Sequence, residues 1–159
     1  MGRRILVLMV ALGVVAVAAC SRGPVRRISE PAAQIQQLAV QADGRWTVSL
    51  RLQNYSSIPM RFDRVELELA VGGEAAGALR EAVALEIGPE SADVVELPLD
   101  PTSTARMLLA DALASGRGVD YALKGRVEAG PADRSSSRSY PIDRKSALSP
   151  APGLPGVLR

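Results

Sequence analysis

Few residues in this sequence are equipped for chemistry. There is no histidine and one cysteine, Cys20, so a Ser-His-Asp triad, a Cys-His pair and histidine metal sites are all excluded. Cys20 ends the uncharged run Ile5–Ala19, where a thiol stands at a processing position and has no second cysteine for a disulfide or a zinc cluster. Glu66 and Glu68 alternate along one apolar segment. Two carboxylates on the polar side of a strand read as a solvated face rather than as a general acid and base. Asp93, Glu96, Asp100 and Asp111 lack the spacing of a calcium loop. Gly116-Arg117-Gly118 follows a helical segment, whereas a phosphate-cradling loop precedes one, so it reads as a helix stop. No catalytic, cofactor-binding or metal-ligating residue is expected, and the chain reads as a non-enzyme.

Two residues remain as candidate contacts for a partner. Asn54 and Tyr55 interrupt the alternation between two strand-like runs, and an aromatic in a connecting loop is placed to touch another molecule. Trp46, at the start of a strand and in phase with Val48, is expected to pack in the core. The segment Arg134-Ser135-Ser136-Ser137-Arg138, with Arg144-Lys145, reads as a solvated basic surface able to meet anionic headgroups.

The N-terminus has the layout of a secretory signal over residues 1–19. A basic Met1-Gly2-Arg3-Arg4 precedes a 15-residue apolar run, shorter than the roughly 20 residues a spanning helix needs. Val17-Ala18-Ala19-Cys20 resembles the bacterial lipobox. That resemblance implies lipidation of Cys20, palmitate among the acyl chains, and anchoring of the mature protein in a membrane. Cleavage after Ala19 as an ordinary signal peptide is the alternative. Ser21, not Asp, follows the cysteine, which in Gram-negative sorting implies the periplasmic face of the outer membrane. Without Arg3 and Arg4 the 19 basic residues fall to 17, equal to the 17 acidic ones. A neutral mature chain has no electrostatic footprint for nucleic acid.

The rest of the chain divides simply. Residues 20–32 read as a lipidated N-terminus and tether, 33–145 as one folded domain, and 146–159 as a disordered tail rich in Pro and Gly. Within the domain the dominant period is two. Leu38 and Val40 open it. After Asp43-Gly44, read as a type I′ hairpin turn, Trp46, Val48, Leu50 and Leu52 share a face. Val65, Leu67, Leu69 and Val71 follow Phe62 out of phase, which predicts a bulge at Asp63-Arg64. Gly72-Gly73 is the next turn. Val83, Leu85 and Ile87 make a short strand, and Val95, Leu97 and Leu99 another that Pro98 places at an edge. A helix of about three turns, capped near Thr102 and stopped at Gly116, carries Met107, Leu108, Asp111, Ala112 and Leu113 at helical spacing. Two last strands surround Tyr121–Val127 and Tyr140–Ile142. Some seven short strands with polar outer faces predict an all-β fold, an immunoglobulin or fibronectin type III-like antiparallel β-sandwich with one short helix.

The order of these segments resembles a known family. Leu50-Arg51-Leu52-Gln53-Asn54, Arg64–Leu69, Ile87-Gly88-Pro89-Glu90-Ser91-Ala92 and Tyr121-Ala122-Leu123-Lys124-Gly125 look like the type 2 late embryogenesis abundant proteins and the related water stress and hypersensitive response domain. Where that family shows Asn-Pro-Asn, this chain has Asn54-Tyr55-Ser56. The resemblance implies a folded sandwich with a non-catalytic role in desiccation or osmotic stress, or as a structural binding module. The alternative is a carrier or adaptor of an envelope assembly that binds lipid or another envelope component between the two sheets or at an open edge. Expected partners are the membrane, through the lipid, and envelope proteins or lipids.

Overall fold

A computed structural model describes residues 25–159. The signal segment 1–19 and Cys20 lie outside the described residues. Eight strands and one helix follow in the order β1 (Ala32–Val40), β2 (Trp46–Gln53), β3 (Met60–Val71), β4 (Glu74–Ile87), β5 (Ala92–Leu99), α1 (Ser103–Ala114), β6 (Val119–Pro131), β7 (Arg138–Leu148) and β8 (Val157–Leu158). They form two antiparallel four-stranded sheets, β5-β2-β1-β8 and β4-β3-β6-β7. The all-β sandwich with one short helix is thus the observed fold.

Period-two alternation decides which side of each strand is dry. Trp46, Val48, Leu50 and Leu52 of β2 meet Val65, Leu67, Leu69 and Val71 of β3 in one continuous core, all at 2% exposure or less. Both ladders of β3 shift register between Phe62 and Arg64, so the bulge at Asp63 is real. It reverses the phase and lets Phe62 and Val65 face the same interior. β5 is an edge strand and accommodates Pro98 opposite Thr47.

Several sequence expectations need correction. The first hairpin turn is not type I′. Gly44 has positive φ while Asp43 does not, and the Gly44 amide donates to the Gln41 carbonyl at 2.9 Å, which makes a three-residue loop ending in a left-handed glycine. The turn with both central residues at positive φ is Gly72-Gly73. β4 is 14 residues long, because Glu74–Ala82, which shows little alternation, pairs along β3. Small alanines there leave no periodic signal, yet backbone pairing needs none. In α1 the buried face is Ala105, Leu109 and Ala112, while Met107 is 74% exposed. The helix ends in a Schellman motif, with Arg117 N–H on the Ala112 carbonyl and Gly116 N–H on the Leu113 carbonyl.

The two terminal segments differ most from expectation. The stretch 146–159, read as a disordered tail, turns back on itself and adds β8 to the edge of β1 through Leu38–Leu158 and Ala39–Val157. Ser149 and Arg159 exchange backbone hydrogen bonds at 2.7 and 2.9 Å, and Leu148 and Leu158 are buried. Its prolines and glycines shape a loop instead of forbidding structure, since burial of two leucines offsets the ordering of a short arm. At the other end, the part of the tether from Val25 onward docks on the body. Ser57 exchanges backbone and hydroxyl hydrogen bonds with Arg27 and donates to the Val25 carbonyl, Ser29 N–H reaches Ser56 Oγ at 3.0 Å, and Arg26 pairs with Asp133 at 2.9 Å.

Candidate functional site

The two residues predicted to touch a partner share a loop but not a role. Asn54 is 1% exposed. Its Nδ2 donates to the carbonyls of Ile58, Ile87 and Gly88 at 2.9, 3.1 and 2.8 Å, and its Oδ1 accepts the Ser56 amide at 2.8 Å. That side chain staples the β2–β3 loop to the end of β4 and is unavailable to another molecule, which corrects its reading as a contact. The same side chain closes an Asx turn through the Ser56 amide. Tyr55 is 52% exposed, while its carbonyl accepts from Arg27.

Tyr55 borders a cleft of about 140 Å3 that it lines with Ala32, Gln34, Arg51, Gln53 and Arg144. Gln34 and Arg51 are register partners on the outer face of the first sheet. Arg144 comes from β7, the edge strand of the other sheet, and its guanidinium donates to Gln34 Oε1 at 3.3 Å. Arg51 donates to Gln53 Oε1 at 3.2 Å. The sequence alone does not single out Arg51, which appears there only within the Leu50–Asn54 segment, and Arg144 enters only as part of a basic surface. Their meeting depends on how two sheets pack, across 110 residues between Gln34 and Arg144.

The remaining sequence candidates sit where plain explanations suffice. Glu66 and Glu68 each face a cation, Arg126 and Arg80 respectively, on the outer face of the second sheet. Trp46 is 1% exposed in the core, and its indole N–H lacks a hydrogen-bond partner. The Arg134–Arg138 loop is pinned to β3, because Arg61 donates to the Arg134 carbonyl at 2.8 Å and Ser137 donates its hydroxyl to Asp63. The Arg61 guanidinium holds the Asp63 carboxyl below the usual carboxylate range, against a smaller opposing push from burial. The larger surface clefts open on the outer faces or ends of the sandwich, lined by residues such as Ala70, Asp120, Ala122 and Lys145 or Ile58, Pro59 and Asp133. The space between the sheets is occupied by the buried side chains of the core.

This geometry can be set beside known proteins. Residues 49–145 match the sequence profile of the type 2 late embryogenesis abundant proteins. The chain belongs to that family. Late embryogenesis abundant proteins of this type have a stress-related, non-catalytic role at the family level. The chain is similar to the solution structure of a protein described as late embryogenesis abundant, at 14% identity, covering 79% of this chain and 72% of that one with a TM-score of 0.50. It is also similar to an Archaeoglobus fulgidus protein at 14% identity, covering 79% and 98% with a TM-score of 0.46. A third similar structure, from Arabidopsis thaliana, is 12% identical over 79% and 81% of the two chains, with a TM-score of 0.45. At such identities the likeness concerns the fold alone. No curated protein matches the sequence.

Proposed function

We propose that this late embryogenesis abundant protein is a lipoprotein, held by an acylated Cys20 in the cell envelope at the periplasmic face of the outer membrane, where it acts as a non-catalytic binding module in desiccation or osmotic stress. The family match over residues 49–145 carries the stress role, since it spans most of the folded body. The docked segment Val25–Pro31 supports close tethering. Four residues separate Cys20 from Val25, so the five Cα steps between them reach at most about 18 Å when extended. The sandwich would therefore ride close to the lipid surface, with the loops around Tyr55 and Asp133 toward it. Metabolic labelling with a palmitate analogue tests the anchor: wild-type protein takes the label and Cys20→Ala does not, and an unlabelled wild type overturns it. A deletion strain is expected to survive drying or osmotic shock less well, and unchanged survival across both would overturn the stress role.

A further inference from the structure

The cleft beside Tyr55 has an unusual balance of charge. Among the described residues nine arginines pair with a carboxylate. Arg51, Arg134, Arg138, Arg144 and Arg159 do not, and of these Arg51 and Arg144 line the same small cleft. Residues 1–24 contain no Asp or Glu to supply the missing charge. Each guanidinium meets only the carbonyl oxygen of a glutamine amide, Arg51 on Gln53 and Arg144 on Gln34. A neutral acceptor orients an arginine without cancelling its charge, and most of the five N–H donors of each fork stay unused.

The placement is also not that of two independent surface side chains. Arg51 stands on the outer face of the first sheet directly opposite Gln34, so their Cβ atoms are about 5 Å apart. Arg144 belongs to the other sheet and reaches that same Gln34. Arg144 thus bonds Gln34 while Arg51, opposite Gln34, bonds the cleft residue Gln53, and the two like charges in one cleft repel unless an anion joins them. Every other polar group that lines the cleft is consistent with such a guest. Gln34 uses its oxygen on Arg144 and keeps its amide N–H2 as a donor, Gln53 directs its own N–H2 to the Ser91 carbonyl, and no carboxylate lines the walls. Tyr55, half exposed at the rim, adds a phenolic hydroxyl and a ring face.

We propose that this cleft binds a single phosphate group, clamped between Arg51 and Arg144 with Gln34 and Tyr55 as further donors. Two guanidiniums match the charge of about −1.5 to −2 on a phosphate monoester and offer bidentate geometry to its oxygens. The cleft volume of about 140 Å3 admits one such group and not a whole nucleotide. The phosphate comes from a lipid headgroup or from a soluble ester, and both share the recognition chemistry. The site does not depend on the anchor at Cys20.

The test uses the full chain in a non-ionic detergent, titrated with inorganic phosphate at constant ionic strength while the side-chain Nε–H and backbone NMR signals of Arg51, Tyr55 and Arg144 are followed. Saturable shifts confined to these residues are expected. Arg51→Gln and Arg144→Gln should each weaken the apparent Kd roughly tenfold, as expected for loss of one charge-assisted contact. Arg80→Gln, which removes a cation paired with Glu68 elsewhere, should leave it unchanged. Mixing phosphatidic acid, a lipid phosphate monoester, into the micelles separates the sources: displacement of phosphate from the same residues assigns the headgroup, and no displacement assigns the soluble ester. Shifts that do not saturate, or an equal loss in Arg80→Gln, would mean diffuse charge attraction and overturn the site. Because the readout is local to the cleft, it stands or falls separately from palmitate labelling.

Discussion

Asn54 satisfies three carbonyls and one amide from inside the protein, and no apolar residue of that size can do the same. Asn54→Ala should lower stability by about 3 kcal/mol, since several buried groups lose their partner together. The urea midpoint should fall while the denaturant slope stays constant. Asp63 makes a pH-dependent contribution of known sign. Its folded pKa is depressed, chiefly by the hydrogen bond from Arg61, so its stabilisation is complete above the unfolded value and is lost as pH falls through the lower folded one. Stability should therefore drop below about pH 4, the ordinary Asp range. Asp63→Asn should flatten that part of the profile, seen as a smaller change in urea midpoint between pH 5 and about pH 3. A profile equally steep in the variant would assign the acid sensitivity to other carboxylates.

At the scale of elements, the centre of the second sheet depends on one missing side chain. Gly125 of β6 lies opposite Leu67 with φ +149°, and a Cβ there would come within 2.1 Å of the Glu66 carbonyl oxygen. Gly125→Ala must push β3 and β6 apart, and a loss of about 3 kcal/mol or more is expected, read as a lower melting temperature. The C-terminal arm provides a second prediction. Leu158 is fully buried against the edge of β1, so Leu158→Ala should lower stability by about 3 kcal/mol. A disordered tail would tolerate the same change without effect in a urea melt. The arm also covers part of the open edge of β1, which an unpaired strand otherwise presents to other chains.

For the molecule as a whole, the two ends of the chain have different mechanical roles. The C-terminal arm completes the first sheet, while the segment from Val25 fastens to the loops around Ser57 and Asp133. Replacing Arg26 and Arg27 together by Gln should change global stability by no more than about 1 kcal/mol, because both ion pairs are exposed. It should increase proteolytic cleavage between Val25 and Pro31, as limited digestion would reveal. Unchanged cleavage would mean that the hydroxyl contacts of Ser56 and Ser57 hold the segment by themselves. The same logic separates anchor from body: a substitution at Cys20 is expected to alter membrane attachment while leaving the melting temperature of the sandwich untouched.

The fold class was readable from one sequence because side-chain direction in a strand repeats every two residues, so each sheet face writes its burial locally. The bulge at Asp63, the edge position forced by Pro98 and the glycine stop after α1 were legible for the same reason: each is a short-range backbone rule. Glu74–Ala82 was missed because alanines do not alternate in polarity, and Pro150–Gly156 was misread because composition describes local stiffness and says nothing of two flanking leucines finding a distant strand. The opposite fates of Asn54 and Tyr55, neighbours in sequence, also belong to tertiary structure, since burial is a property of what packs around a loop. The cleft was least legible. Arg51 and Arg144 lie 93 positions apart in the sequence, on different sheets, and only sandwich packing brings the two charges to one cleft.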